Sequence, residues 1–299
     1  IPPAAPSPPA AGQQQVGGLA LLAPGAPLPE APFPGLFEQA ADGAILPVIA
    51  PDGRRAVASY ARPFAPRTGP DGTALPQVAV IVSGLGLNRT FTERTLELLP
   101  ADISLAFTPY TPELQDMIAT ARADGHEVAI ELPMEPYDYP DNDPGPYTLL
   151  TGLPPEANGK RLEWLLSRGT GYFAVINRQG GRYMADRDAM TATLATLASR
   201  GIGFIDTGDG TRTATGAAAP PGYEFAVAAQ VIDAARSPSQ IARTLAALER
   251  TARQTGFALG IGTALPITVE RLAEWAPSLE AKGIQLVPAS AALTGTEAR

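Results

Sequence analysis

GHEVAIELPMEP, residues 125–136, is the stretch on which the fold turns. Gly125 can stop a preceding helix, and Pro133 and Pro136 close the apolar run beyond it. Between them the sequence predicts a strand over 127–132, short and apolar on both faces apart from its carboxylates. A strand of that kind suits a parallel sheet covered by helices, not an open sheet with one wet face.

The same unit recurs in both directions. Upstream, VAVIVS (78–83) and SLAFTP (104–109) read as strands; downstream, so do YFAVIN (172–177), GFIDT (203–207), QVID (230–233), FALGIG (257–262) and IQLVPA (284–289). Helical periodicity fills 90–99, 112–124, 156–168, 186–200, 237–255 and 266–282. Thr90 precedes an acidic first turn, Ser237 caps ahead of Pro238, and Gly125, Gly201, Gly256 and Gly283 follow helix ends. Alternating strands and helices predict an α/β fold, either a (β/α) barrel or a doubly wound sheet. In both, chemistry gathers where strands run into their C-terminal loops.

The flanks differ in kind. Residues 1–34 hold ten prolines, which lack an N–H and fix φ, so an extended, disordered tether that neither pairs nor winds is expected there. Residues 35–76 are expected to form an ornament packed on the barrel. In it GLFEQAADGAIL (35–46) makes a short helix ending near Gly43, and PDGRRAVASYARPF (51–64) opens on a turn. The barrel domain is assigned to 77–292 and a C-terminal tail to 293–299.

Composition narrows the chemistry. The 299 residues are 45% hydrophobic and 17% charged, with a net charge of −8. Such a chain does not attract phosphate backbones or anionic membranes, so no nucleic-acid partner is expected. It has no cysteine and a single histidine, which removes thiol chemistry and starves any imidazole-based site. His126 falls at the start of a strand, the wrong end for catalysis, and is read as a structural hydrogen-bonder. No apolar run reaches the roughly 20 residues of a membrane span. The chain opens on Ile1, and the expectation is a segment ahead of it that was a signal peptide or a membrane anchor.

Four loops carry the candidate residues. Ser83-Gly84-Leu85-Gly86 begins like a dinucleotide fingerprint, but Arg89 stands where the third glycine belongs; a tight turn is expected, and no nucleotide cofactor. ELPMEP and the loop after it bring Glu131 and Glu135, with Tyr137, Tyr139 and Tyr147 available to stack on a sugar or to pack the loop. Asp138, Asp141 and Asp143 are read as turn formers. Asn177, Arg178 and Arg182 come after one strand and Asp206 ends another.

In their order and spacing these motifs resemble the divergent polysaccharide deacetylase family, over about residues 77–292. The pieces that carry the resemblance are GHEVAIELPMEP, IVSGLGLN (81–88), INRQGGRYMADRDAM (176–190), FIDTG (204–208), GIGTALPITVERLAEW (260–275) and IQLVPAS (284–290). The resemblance implies a distorted (β/α) barrel of the polysaccharide deacetylase type. It also implies a metal site whose ligands have been replaced: Ser83 and Gly84 stand for a pair of aspartates, and Glu131, Arg178 and Thr263 for histidines. Asp206 and Asn177 match the family pattern.

The expectation is therefore a catalytically inactive envelope protein, with no resident metal and no cofactor. It would bind a glycan or a protein partner, in the periplasm or anchored facing it. Glu131, Glu135, Tyr137, Asn177, Arg178, Arg182 and Asp206 are the ligand-binding candidates. Arg178 is expected to pair with Glu131 or Asp206. The competing expectation is a hydrolase or deacetylase with an altered carboxylate site of Glu131, Glu135 and Asp206.

Overall fold

The computed structural model describes residues 15–16, 19–20, 25–40, 43–208 and 213–294. Among them, nine parallel strands form one curled sheet: β1 (Gln77–Leu85), β2 (Ser104–Phe107), β3 (Val128–Met134), β4 (Ala174–Gln179), β5 (Gly203–Asp206), β6 (Phe225–Val227), β7 (Gln230–Val231), β8 (Phe257–Thr263) and β9 (Gln285–Val287). Their order is β6-β5-β4-β3-β2-β1-β8-β7. Strand β9 is inserted beside the first half of β1, below the point where β2 begins to pair with it.

The ring closes through a single extended segment. β6 pairs with β5 and β7 pairs with β8, and only Ala228 and Ala229 separate the two. Ala228 N–H donates to Asp206 O (2.8 Å) and Ala229 N–H to Leu259 O (2.8 Å), so residues 225–231 give their first half to one neighbour and their second half to the other. The sequence predicts only the 230–233 part of this strand. The three residues of β6 come after a proline-rich turn and carry no run long enough to announce them.

Helices α1 (Arg89–Leu98), α2 (Leu114–Ala123), α3 (Pro155–Leu166), α4 (Gly181–Ala185), α5 (Arg187–Ser199), α6 (Thr215–Ala218), α7 (Pro238–Thr255), α8 (Pro266–Trp275) and α9 (Ser278–Ala281) connect the strands. Val78 to Val82 are fully buried, as a strand under helices on one side and barrel filling on the other must be. Helix α1 starts one residue before the predicted position. Its cap is Asn88, whose Oδ1 accepts the Phe91 N–H (2.9 Å), and Thr90 lies inside the helix. Ser237 caps α7 as its position before Pro238 predicts.

The region ahead of the barrel departs from expectation twice. Where a helix is expected over 35–46, Phe37–Gln39 instead pairs antiparallel with Ile45–Pro47. Gly43 does sit at φ 86, a conformation that ends a helix as readily as it turns a hairpin, so its position alone does not separate the two. The ornament closes the barrel's lower end: Ala56 and Val57 are buried, and Val57 N–H donates to Gly201 O (3.0 Å).

Nor is the tether free along its whole length. Within its proline-free stretch Gln15–Val16 pairs with Leu19–Ala20, and residues 25–34 dock against the bottom of the barrel. There Leu28 is buried and its N–H donates to Arg122 O (2.8 Å). Arg62 and Arg122, both almost wholly buried, donate to Ala26 O (3.3 Å) and Pro29 O (2.9 Å). Burial lowers the pKa of Arg122 to about 10. Two glycines make the seat: a Cβ on Gly125 would lie 2.8 Å from Ala26 O, and one on Gly171 2.6 Å from the Ala31 Cβ. At the other terminus Leu293, assigned to the tail, is buried in the core.

Candidate functional site

The C-terminal ends of the strands form a mouth on the side opposite the ornament. At its centre β1 carries an irregularity: between Val82 and Leu85 its register with β2 slips. Bulges of this kind re-aim backbone groups. Gly84, at φ 83, turns its N–H inward to donate to Glu131 Oε1 at 2.6 Å. Ser83 instead ties neighbouring strands, its Oγ donating to Gly262 O (3.2 Å) and its carbonyl accepting Ala264 N–H (2.7 Å).

Glu131 is 2% exposed. Burial pushes its carboxyl above the ordinary carboxylate range, opposed by the Arg178 charge and by the Gly84 N–H. Arg178 Nη1 lies 3.8 Å from Glu131 Oε1, an ion pair without a hydrogen bond, and its side chain is 45% exposed. Asp206 is not its partner. Thr263 completes this group: a Cβ placed on Gly84 would lie 3.6 Å from Thr263 Cγ2 and 3.8 Å from Arg178 Nη1. Gly84, Glu131, Arg178 and Thr263 thus meet around one small space.

The remaining candidates lie in three separate arrangements. Asp206 is buried, its oxygens accepting the Gly208 N–H (2.9 Å) and the Thr215 hydroxyl (2.9 Å). Asn177, also buried, accepts the Thr207 N–H (2.8 Å) and donates to Gln179 O and to Thr207 Oγ1, both at 2.8 Å. Glu135 is buried as well: Oε2 accepts the Thr151 N–H (2.6 Å) and hydroxyl (2.8 Å), and Oε1 faces Arg182 Nη1 at 3.2 Å. The Arg182 side chain is 49% exposed. Tyr137 stands out from the loop, 57% exposed, while Tyr147 stacks on Trp164 at 3.6 Å between ring centroids and so packs its loop. Asp143 Oδ1 accepts the Gly145 N–H (2.9 Å), the role of a turn former.

Two residues of the mouth escaped the sequence. Asp233 is buried, its Oδ2 accepting the Thr263 N–H and the Thr268 hydroxyl, each at 2.8 Å. A carboxylate ending the predicted strand 230–233 was the available signal. Gln179 has φ 56, the one positive value at a non-glycine residue among those described. It donates to Asn142 Oδ1 (3.1 Å), and its own Oε1 is buried without a partner. Nothing in NRQG marks that conformation. His126 lies at the lower end, Nδ1 at 2.7 Å from Ile103 O.

A divalent metal, which the fold family implies, does not fit these residues. Ser83 Oγ is engaged, Gly84 offers no donor, and a guanidinium occupies the neighbourhood of the one carboxylate in the group. Among the described residues no three His, Cys, Asp or Glu side chains are arranged to hold a metal. Arg178 repels a cation there, as a fixed positive charge within 4 Å must.

Residues 80–293 match the model of the divergent polysaccharide deacetylases. The chain is 25% identical over 222 residues to the uncharacterized protein YibQ of Escherichia coli K12, covering 73% of this chain and 67% of that protein. It superposes on the crystal structure of an uncharacterized protein from Agrobacterium tumefaciens C58 with a TM-score of 0.77 and 32% identity, over 83% of this chain and 99% of the other.

Proposed function

Since the chain belongs to the divergent polysaccharide deacetylase family, we propose that it is a non-catalytic member of the bacterial cell envelope whose barrel mouth binds a glycan. One observation carries this reading. Arg178, 3.8 Å from the buried Glu131 carboxylate, puts a fixed cation where amide hydrolysis would need a metal to activate water. The other carboxylates do not supply a substitute. Glu135 and Asp206 each spend their oxygens on hydroxyl, amide or guanidinium donors of their own. Neither is a free base facing Glu131 across a sugar bond.

The test is direct. Zinc, cobalt or manganese is added to the purified chain, and both melting temperature and acetate release from acetylated chitooligosaccharide are followed. The proposal expects neither a metal-dependent shift in melting nor turnover, with glycan retained on the protein. Metal-dependent stabilisation accompanied by acetate release overturns it.

A further inference from the structure

The Arg178 guanidinium is a cation at the mouth whose side chain makes no hydrogen bond among the described residues. Its contact with Glu131 is an ion pair at 3.8 Å with no hydrogen bond, and nearly half of the side chain is open to solvent. Glu131 supplies a nearby charge only, and none of the guanidinium N–H groups has a hydrogen-bond acceptor among the described residues. Beside it Gly84 leaves room where a side chain would begin: an added Cβ would rest in ordinary contact with Thr263 Cγ2 (3.6 Å), Arg178 Nη1 (3.8 Å) and Ala264 N (4.0 Å). An arginine left with unused parallel donors beside a glycine is matched by a planar oxyanion.

The surroundings specify more than an anion. Among the described residues five large hydrophobic side chains are exposed, and three of them, Leu87, Tyr137 and Val227, stand at or just beyond strand C-terminal ends. Tyr137 is held by its backbone, since Arg182 Nη2 donates to its carbonyl (3.5 Å). A flat ring with a wet hydroxyl edge suits the C–H face of a sugar. The chain as a whole carries −8, so an acidic ligand gains nothing from the general field and must be met by a local cation, and Arg178 is the one beside Gly84.

Resting on the glycan-binding reading above, we propose that the mouth recognises a carboxylate-bearing sugar: the carboxylate lies over Gly84 and takes a bidentate pair from Arg178, and a neighbouring ring lies on Tyr137.

The probes are the N-acetylglucosamine–N-acetylmuramic acid disaccharide with its free carboxylate and the same disaccharide with that carboxylate amidated. Calorimetry is expected to show about tenfold tighter binding of the acid, the scale of one charge-assisted pair. R178Q abolishes the difference, R178K restores part of it because it keeps the charge and loses the fork, and Y137A weakens both sugars alike. Melting curves of the variants report their folding separately. Equal binding of the two forms, or a preference that survives R178Q, overturns the proposal and leaves glycan binding intact. Failure to bind either sugar, with or without capture of an oligoglutamate peptide, overturns it together with the glycan-binding reading.

Discussion

Glu131 is a carboxyl group kept in a place that favours its neutral form, and Arg178 is what moderates the cost. With its pKa raised above the unfolded value, the folded chain binds this proton more tightly than the unfolded chain. Stability contributed by the group is therefore greatest at low pH and declines as pH climbs from about 4.3, the unfolded glutamate value, through the raised folded one. E131Q removes that decline, so denaturation midpoints of the variant and the parent converge in acid and separate in favour of the variant toward neutral pH. R178Q acts in the opposite sense at pH 7. Its cost is about 1 kcal/mol or less, because a half-exposed arginine is screened by water. The residue types at 83, 84, 131, 178 and 263 were readable in the chain alone, as was the loss of imidazole. What the sequence could not supply was how they meet: the slip in β1 that aims the Gly84 N–H, the 3.8 Å spacing of the pair, and Gln179 at positive φ all arise from packing between strands distant in the chain.

The elements themselves were largely legible because each long strand and helix carries its own punctuation. α7 is announced by Ser237-Pro238 and ended by Gly256, and burial of β3 is set by its composition. The failures came where an element is short and its pairing is supplied by others. β6 spans three residues and exists because β5 lies beside it. The pair Phe37–Gln39 and Ile45–Pro47 has too little periodicity to be told from a helix. Closure of the barrel depends on the same short segment, and Gly208 guards it: φ is 62 and an added Cβ would stand 2.5 Å from Ala228 O. G208A is expected to cost about 1–3 kcal/mol through strain at that position. Hydrogen exchange should rise first in 203–206 and 225–231, the strands that flank the altered contact. Uniform loss of protection across the barrel would instead mark the seam as no weaker than the rest.

At the scale of the molecule, the docked end of the tether is a part of the fold that composition disguises. Proline content argued for a free chain up to residue 34, yet Arg62 and Arg122 depend on the carbonyls of Ala26 and Pro29 for part of their hydrogen bonding. Buried guanidinium groups that lose acceptors are costly. A chain beginning at residue 35 should accordingly melt several degrees below one beginning at residue 25, measured side by side by calorimetry. Equal melting temperatures would show the strap to be an accessory. The seat over Gly125 and Gly171 also gives the molecule a head and a foot. The docked stretch from Gly25 onward lies at the foot, beneath the strand beginnings, and Arg178 and Tyr137 look out from the head. A hand that grips the protein by that end leaves its open palm turned the other way, so holding it in place and presenting its mouth do not compete for the same surface.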